Sequence, residues 1–145
     1  MAINGRFYTL LPATAITTAV TNVAGAVAGG GSDVSLIGAD YIALQAVFTY
    51  GSGGTNATVY VQTSLDEGAT WIDVASFTFA QASATKISAL SGAIAPASQA
   101  FSPTDGSLTA NTVIQGVFGD LWRTKLTTTG VYAGTTIAIS MVAKS

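Results

Sequence analysis

The sequence predicts an all-β, antiparallel domain of β-sandwich or jelly-roll-like form with an extended N-terminal arm. Three observations carry that prediction. Runs rich in Val, Ile, Tyr, Thr and Phe recur along the 145 residues, a composition that suits a pleated, half-buried surface. Gly, Pro and Asp-Gly signals punctuate those runs and define about seven to nine strands. No stretch carries the apolar period of an amphipathic helix.

Taken in order, residues 6–10 (RFYTL) form a short extended segment that Pro12 is expected to end. Residues 13–27 are an Ala/Thr/Val run that fits helix or strand, and the β-branched residues favour strand. Gly25 and Gly29-Gly30-Gly31-Ser32 then loosen the chain. Residues 1–31 are therefore read as an arm that packs on a neighbour, with an edge strand plus a loop as the alternative, and residues 32–145 as the β-sandwich body. Residues 34–37 make a short strand. Residues 41–50 (YIALQAVFTY) make a long one, with Ile42, Leu44, Ala46, Phe48 and Tyr50 on one face. A Gly-rich link at 51–56 joins it to a hairpin over 57–79, giving a three-strand meander.

The hairpin is the centre of the chain. In its second strand Trp71, Asp73, Ala75, Phe77 and Phe79 share one face, and Ile72, Val74, Ser76 and Thr78 share the other. Both faces are largely apolar, so protein should cover both. A short strand at 85–90 follows, then a loop over 91–99, a turn at 101–106 (FSPTDG) and a candidate strand at 113–118. Residues 121–128 set Trp122, Thr124 and Leu126 against Leu121, Arg123, Lys125 and Thr127. After a turn at 129–134, residues 135–143 close the chain with Ile137, Ile139 and Met141 on one face.

Composition narrows the function. Charged residues are 8% of the chain, against roughly 25% in an ordinary soluble domain. A surface so poor in charge is expected to be buried in an assembly. The net charge of −2, with Arg6, Lys86, Arg123, Lys125 and Lys144 scattered, argues against a nucleic-acid partner. With no Cys and no His, the chain lacks thiolate ligands, disulfides and the commonest general base. Arg6 followed by 10–29 loosely mimics a secretory signal, but Pro12, several Thr and Asn22 interrupt the apolar run. No run reaches the roughly 20 apolar residues of a membrane-spanning helix, so no membrane partner is expected.

Candidate chemical sites are few. The Gly51-Ser52-Gly53-Gly54 run precedes a strand and not a helix, so it reads as a hairpin loop and not as a phosphate cradle. Asp66, Glu67 and Asp73 do not match a calcium-loop spacing, and Asp73 is expected to pair with a Lys or Arg. Tyr60, Trp71 and Trp122 could form a sugar platform, although aromatics in strands are more often core. Asn56-Ala57-Thr58 fits the glycosylation pattern, which carries meaning only in a eukaryotic secretory context. No catalytic, metal or cofactor-binding residue is expected, and no enzyme.

Residues 64–71 (SLDEGATW) resemble the Asp-box, the hairpin signature Ser-x-Asp-x-Gly-x-Thr-Trp of sialidases and other propeller proteins. The resemblance implies a structural turn built by Ser64, Asp66, Gly68, Thr70 and Trp71, and no glycosidase activity. Over residues 41–145 the chain also resembles small virion proteins of tailed bacteriophages. The hairpin VYVQTSLDEGATWIDVASFTF and the ending GDLWRTKLTTTGVYAGTTIAISMVAKS carry that likeness, beside the MAING start and the Ala/Thr/Gly-rich arm. It implies a structural protein of the virion: a capsid decoration (cement) protein on the capsid surface, or a neck or tail subunit. The partners implied are copies of itself, as a trimer, and the major capsid protein or other virion proteins. The alternative from another class is a carbohydrate-binding β-sandwich module.

Overall fold

The computed structural model describes residues 5–21, 23–24, 34–36, 38–93 and 100–145. The chain is all-β, every strand pairing is antiparallel, and no helix occurs among the described residues. Among the described residues eleven strands run in chain order: β1 (Arg6–Ile16), β2 (Val23–Ala24), β3 (Val34–Ser35), β4 (Tyr41–Thr49), β5 (Ser52–Gly53), β6 (Asn56–Ser64), β7 (Ile72–Phe79), β8 (Ala84–Ser91), β9 (Leu121–Thr129), β10 (Tyr132–Ala133) and β11 (Thr135–Lys144).

Two sheets share one apolar core. The first has the order β1-β11-β4-β8, and the second the order β2-β9-β6-β7, with β3 also pairing β9. A small ribbon, β10-β5, pairs separately from both and sends Tyr132 into the same core. Alternation assigns Ile42, Leu44, Ala46 and Phe48 of β4 and Ile137, Ile139 and Met141 of β11 to the inner face of the first sheet, all buried. Val59, Val61, Phe77, Phe79, Trp122 and Leu126 are buried from the second sheet. The rings of Phe48 and Phe79 stack across the interior with centroids 4.9 Å apart, and each such buried ring contributes about 1.5–3 kcal/mol.

Four sequence expectations change. The three-strand meander does not form: β4 pairs with β11 and β8, while β6 pairs with β7 and β9. The Gly-rich link carries the chain from one sheet to the other, because Phe48 and Val59 must enter the same core from opposite sides.

The first strand does not stop at Pro12 but runs to Ile16, with register shifts between Thr9 and Leu11 and between Leu11 and Thr14. On an edge strand a residue without an N–H is tolerated, especially beside a bulge. This part of the expected arm is thus a strand of the body, with Leu10, Leu11 and Ile16 in the core; residues 25–31 lie outside the described residues.

In β7, Val61 pairs with Ala75 but Gln62 pairs with Asp73, so Val74 is an extra residue in the ladder. That bulge turns Asp73 away from the face of Phe77 and Phe79 on which strict alternation places it. Finally, residues 113–118 supply one isolated bridge, Ala75 to Val113, and no strand. They belong to a long segment that crosses the outside of the second sheet.

Candidate functional site

Three surfaces qualify by chemistry: the hairpin tip, the outer face of the second sheet and the outer face of the first. At the tip, the hydroxyl of Ser64 donates to Asp66 Oδ1 (2.8 Å) and accepts from the Gly68 N–H (2.8 Å). Asp66 accepts from the Thr70 N–H (2.7 Å) and the Thr70 hydroxyl (2.6 Å). Gly68 holds φ at 91°, in the region glycine favours, and Trp71 lies under the turn with 8% of its surface exposed. The hydrogen bonds from Thr70 and Ser64 hold the Asp66 carboxyl below the usual carboxylate range. The five motif residues thus surround one turn, and the Ser64 hydroxyl, the Gly68 N–H and both Thr70 donors are taken up within it. Gly119 locks the tip to the body, because a Cβ there would lie 1.7 Å from the Ser64 carbonyl oxygen.

The outer face of the second sheet is polar and covered. Tyr60, Gln62 and Ser64 of β6 share that face with Lys125 and Arg123 of β9 and with Ser76 and Asp73 of β7. Residues 104–114 cross it. Asp73, fully buried, is the anchor: its carboxylate accepts from the N–H groups of Gly106 (2.8 Å), Ser107 (3.0 Å) and Leu108 (3.1 Å) and from the Thr104 hydroxyl (2.8 Å). Gln62, also fully buried, donates to Asp73 (2.8 Å) and Asp105 (2.7 Å) and accepts from Arg123 Nε (2.8 Å).

The cations of this face are taken up as well. Lys125 forms an ion pair with Asp105, and the Arg123 guanidinium lies 4.2 Å from the centre of the Trp71 ring. Burial acts to raise the Asp105 carboxyl, but hydrogen bonds from Lys125 and Gln62 and the nearby Lys125 and Arg123 charges outweigh it and hold it below its usual range. Burial and the Asp73 charge push the Tyr60 hydroxyl up.

Further along, Ser76 Oγ donates to the Thr109 carbonyl (2.6 Å), Asn111 Oδ1 accepts from the Thr78 N–H (3.0 Å), and the Ile114 N–H bonds the Val74 carbonyl (2.8 Å). The segment is therefore a strap that satisfies the free edge of β7 as well as its face.

These contacts revise the expectations for Asp73 and the aromatic residues. Asp73 is held mainly by backbone N–H groups, and the ion pair forms at Asp105 instead. Tyr60, Trp71 and Trp122 do not assemble a platform: Trp122 is fully buried in the core, and Trp71 is covered by Arg123. Sequence reading missed the partnership of Gln62, Thr104 and Asp105. The signal available was the polar row Tyr60, Gln62, Ser64 beside Arg123 and Lys125 in an otherwise apolar chain.

The outer face of the first sheet is the opposite case. Phe7 and Thr9 on β1, Ala138, Ser140 and Val142 on β11, Tyr41, Ala43, Gln45 and Val47 on β4, and Thr85, Ile87 and Ala89 on β8 all point outward. None is charged; Lys144, beside Tyr41 in the register, stands at the end of the sheet. Phe7 is 65% exposed and Ile87 72% exposed, and a shallow depression of about 260 Å³ lies between them, floored by Ala43, Ser140 and Val142. An exposed four-stranded face of small and apolar side chains is a surface suited to burial against protein.

No family model, curated protein or solved structure matches the chain.

Proposed function

We propose that the chain is a non-enzymatic structural subunit of a bacteriophage particle, a capsid decoration (cement) protein built as a β-sandwich and seated on the capsid surface. The observation that carries this reading is the uncharged, open outer face of the first sheet. Its residues offer neighbours apolar area without a charge to desolvate, which favours permanent packing over transient, charge-steered encounter. The polar face of the second sheet supports the same reading, since its hydrogen-bonding groups are committed to the chain's own strap. The likeness of the hairpin and of the C-terminal stretch to phage virion proteins directs the reading to a particle.

Mass spectrometry of purified particles tests it. A stoichiometric component at hundreds of copies is the expected result. A few copies per particle would move the protein to the neck or tail, and absence from particles would sink the proposal.

A further inference from the structure

We propose that the partner seated on the outer face of the first sheet is a second copy of the same chain, packed face to face about a two-fold axis that runs along the strands between β11 and β4. The inference rests on reading this face as an assembly surface and not on the identity of the particle.

The register supplies the argument. Across the sheet, one row reads Phe7, Val142, Ala43, Ala89, and the next reads Thr9, Ser140, Gln45, Ile87. A two-fold axis along the strands lays β1 over the partner's β8 and β11 over the partner's β4, with each row over itself reversed. Phe7, the large knob at one edge, then falls over Ala89, the small residue at the other. Ile87 falls over Thr9, and Val142 over Ala43. Ser140 meets Gln45, two groups able to hydrogen-bond each other. Large side chains thus oppose small ones without any change of conformation, as interdigitating sheet faces about 10 Å apart require.

Charge gives the second argument. A two-fold contact brings the same set of charges in from both sides, so a face of one sign repels its copy, and the two rows that meet here carry no charge. Lys144 stays at the rim beside the partner's Tyr41, where a cation meets an aromatic ring. A two-fold axis across the strands would instead carry Lys144 over Ala138 and is disfavoured. Four strands at about 4.8 Å spacing and eight residues at about 3.4 Å rise make a flat footprint of roughly 500 Å². With side-chain relief this approaches the ~800 Å² per partner of a standard interface.

Phe7 and Ala89 lie three strands apart in one chain, about 14 Å, so a charge pair placed there can meet only across the dimer. Sedimentation velocity of the full chain should show a dimer. F7K and A89D, each checked for native circular dichroism, should each shift it to monomer, and the F7K/A89D double variant should return it to dimer. The chain contains no Cys, which permits a second test on exposed positions. Mixing F7C chains with A89C chains and adding a short bis-maleimide should crosslink unlike chains, whereas F7C alone should not crosslink to itself. A parent that stays monomeric or forms a trimer, a double variant no better than the singles, or efficient F7C self-crosslinking would overturn the proposal. A dimer that is absent from particles leaves this inference standing and removes the proposed function; a particle component that fails these tests does the reverse.

Discussion

The two sheets of this protein have similar inner faces and opposite outer ones. The second sheet turns Tyr60, Gln62, Asp73, Arg123 and Lys125 outward and is covered by its own chain. The first turns Ala, Thr, Ser, Gln, Val, Phe, Tyr and Ile outward and is left open by the described residues. The difference teaches what each kind of face demands. A row of carboxylate, amide and cations can be buried only with a fitted partner for every group, and the strap brings those partners as backbone N–H groups at fixed positions. A neutral face needs no such fitting, so its cover can be a separate molecule that arrives later.

The sharpest way to break this comparison is to unpin the strap. Asp73→Ala removes the acceptor for Gly106, Ser107, Leu108, Thr104 and Gln62 together. A loss on the order of 3 kcal/mol is expected, because buried donors are left unsatisfied. Urea unfolding would measure it, and protease cleavage within residues 104–114 should rise in parallel. An unchanged midpoint would mean the strap is held by its other contacts.

Gly119→Ala attacks the joint between the tip and the body. The new Cβ must displace the Ser64 carbonyl, and overpacking of this kind costs about 1–3 kcal/mol. A smaller fall in melting temperature is expected for Asp66→Ala, which frees the Thr70 and Ser64 donors at an exposed turn.

Acid sharpens the contrast. Asp66 and Asp105 both have folded-state pKa values below their ordinary ones. Their contribution to stability is therefore complete above the unfolded value near ~3.9 and is lost as pH falls through the lowered folded values. Thermal melts should be flat from neutrality to about pH 5 and fall below about pH 4. Asp105→Asn should make that fall shallower, and substitutions on the open face should leave its shape unaltered.

The smallest effect belongs to the open face itself. Ile87→Ser, at a position 72% exposed, should change the stability of a dilute subunit by no more than about 0.5 kcal/mol. A large loss at low protein concentration would show that Ile87 is already packed within the subunit.

The strands were legible to the extent that their residues alternate. β4, β6, β9 and β11 lie within a residue or two of their expected bounds, because Ile42/Leu44/Phe48, Trp122/Leu126 and Ile137/Ile139/Met141 each define one face without interruption. The face of Asp73 is not legible in the sequence because a bulge is one unpaired residue, and Val74 looks like any other strand valine. Pro12 resembles a strand stop because proline is excluded from central strands, and edge position is not visible locally. The strap was invisible because FSPTDG reads only as a turn, whereas its hydrogen-bond acceptor lies more than thirty residues earlier.

By itself, then, the sequence determined that the chain is β-structured and poor in charge, that residues 64–71 make a tight turn, and that Phe48, Phe79, Trp122 and Ile139 are apolar positions of strands. These follow from local terms: side-chain shape, the two-residue period and the backbone freedom of Gly68. Only the tertiary structure decided which strands pair, that β4 and β6 belong to different sheets, and that one outer face is strapped while the other is free. Those outcomes depend on contacts between residues far apart in the chain. Their free energy exists only once both partners are in place, so no local pattern records it.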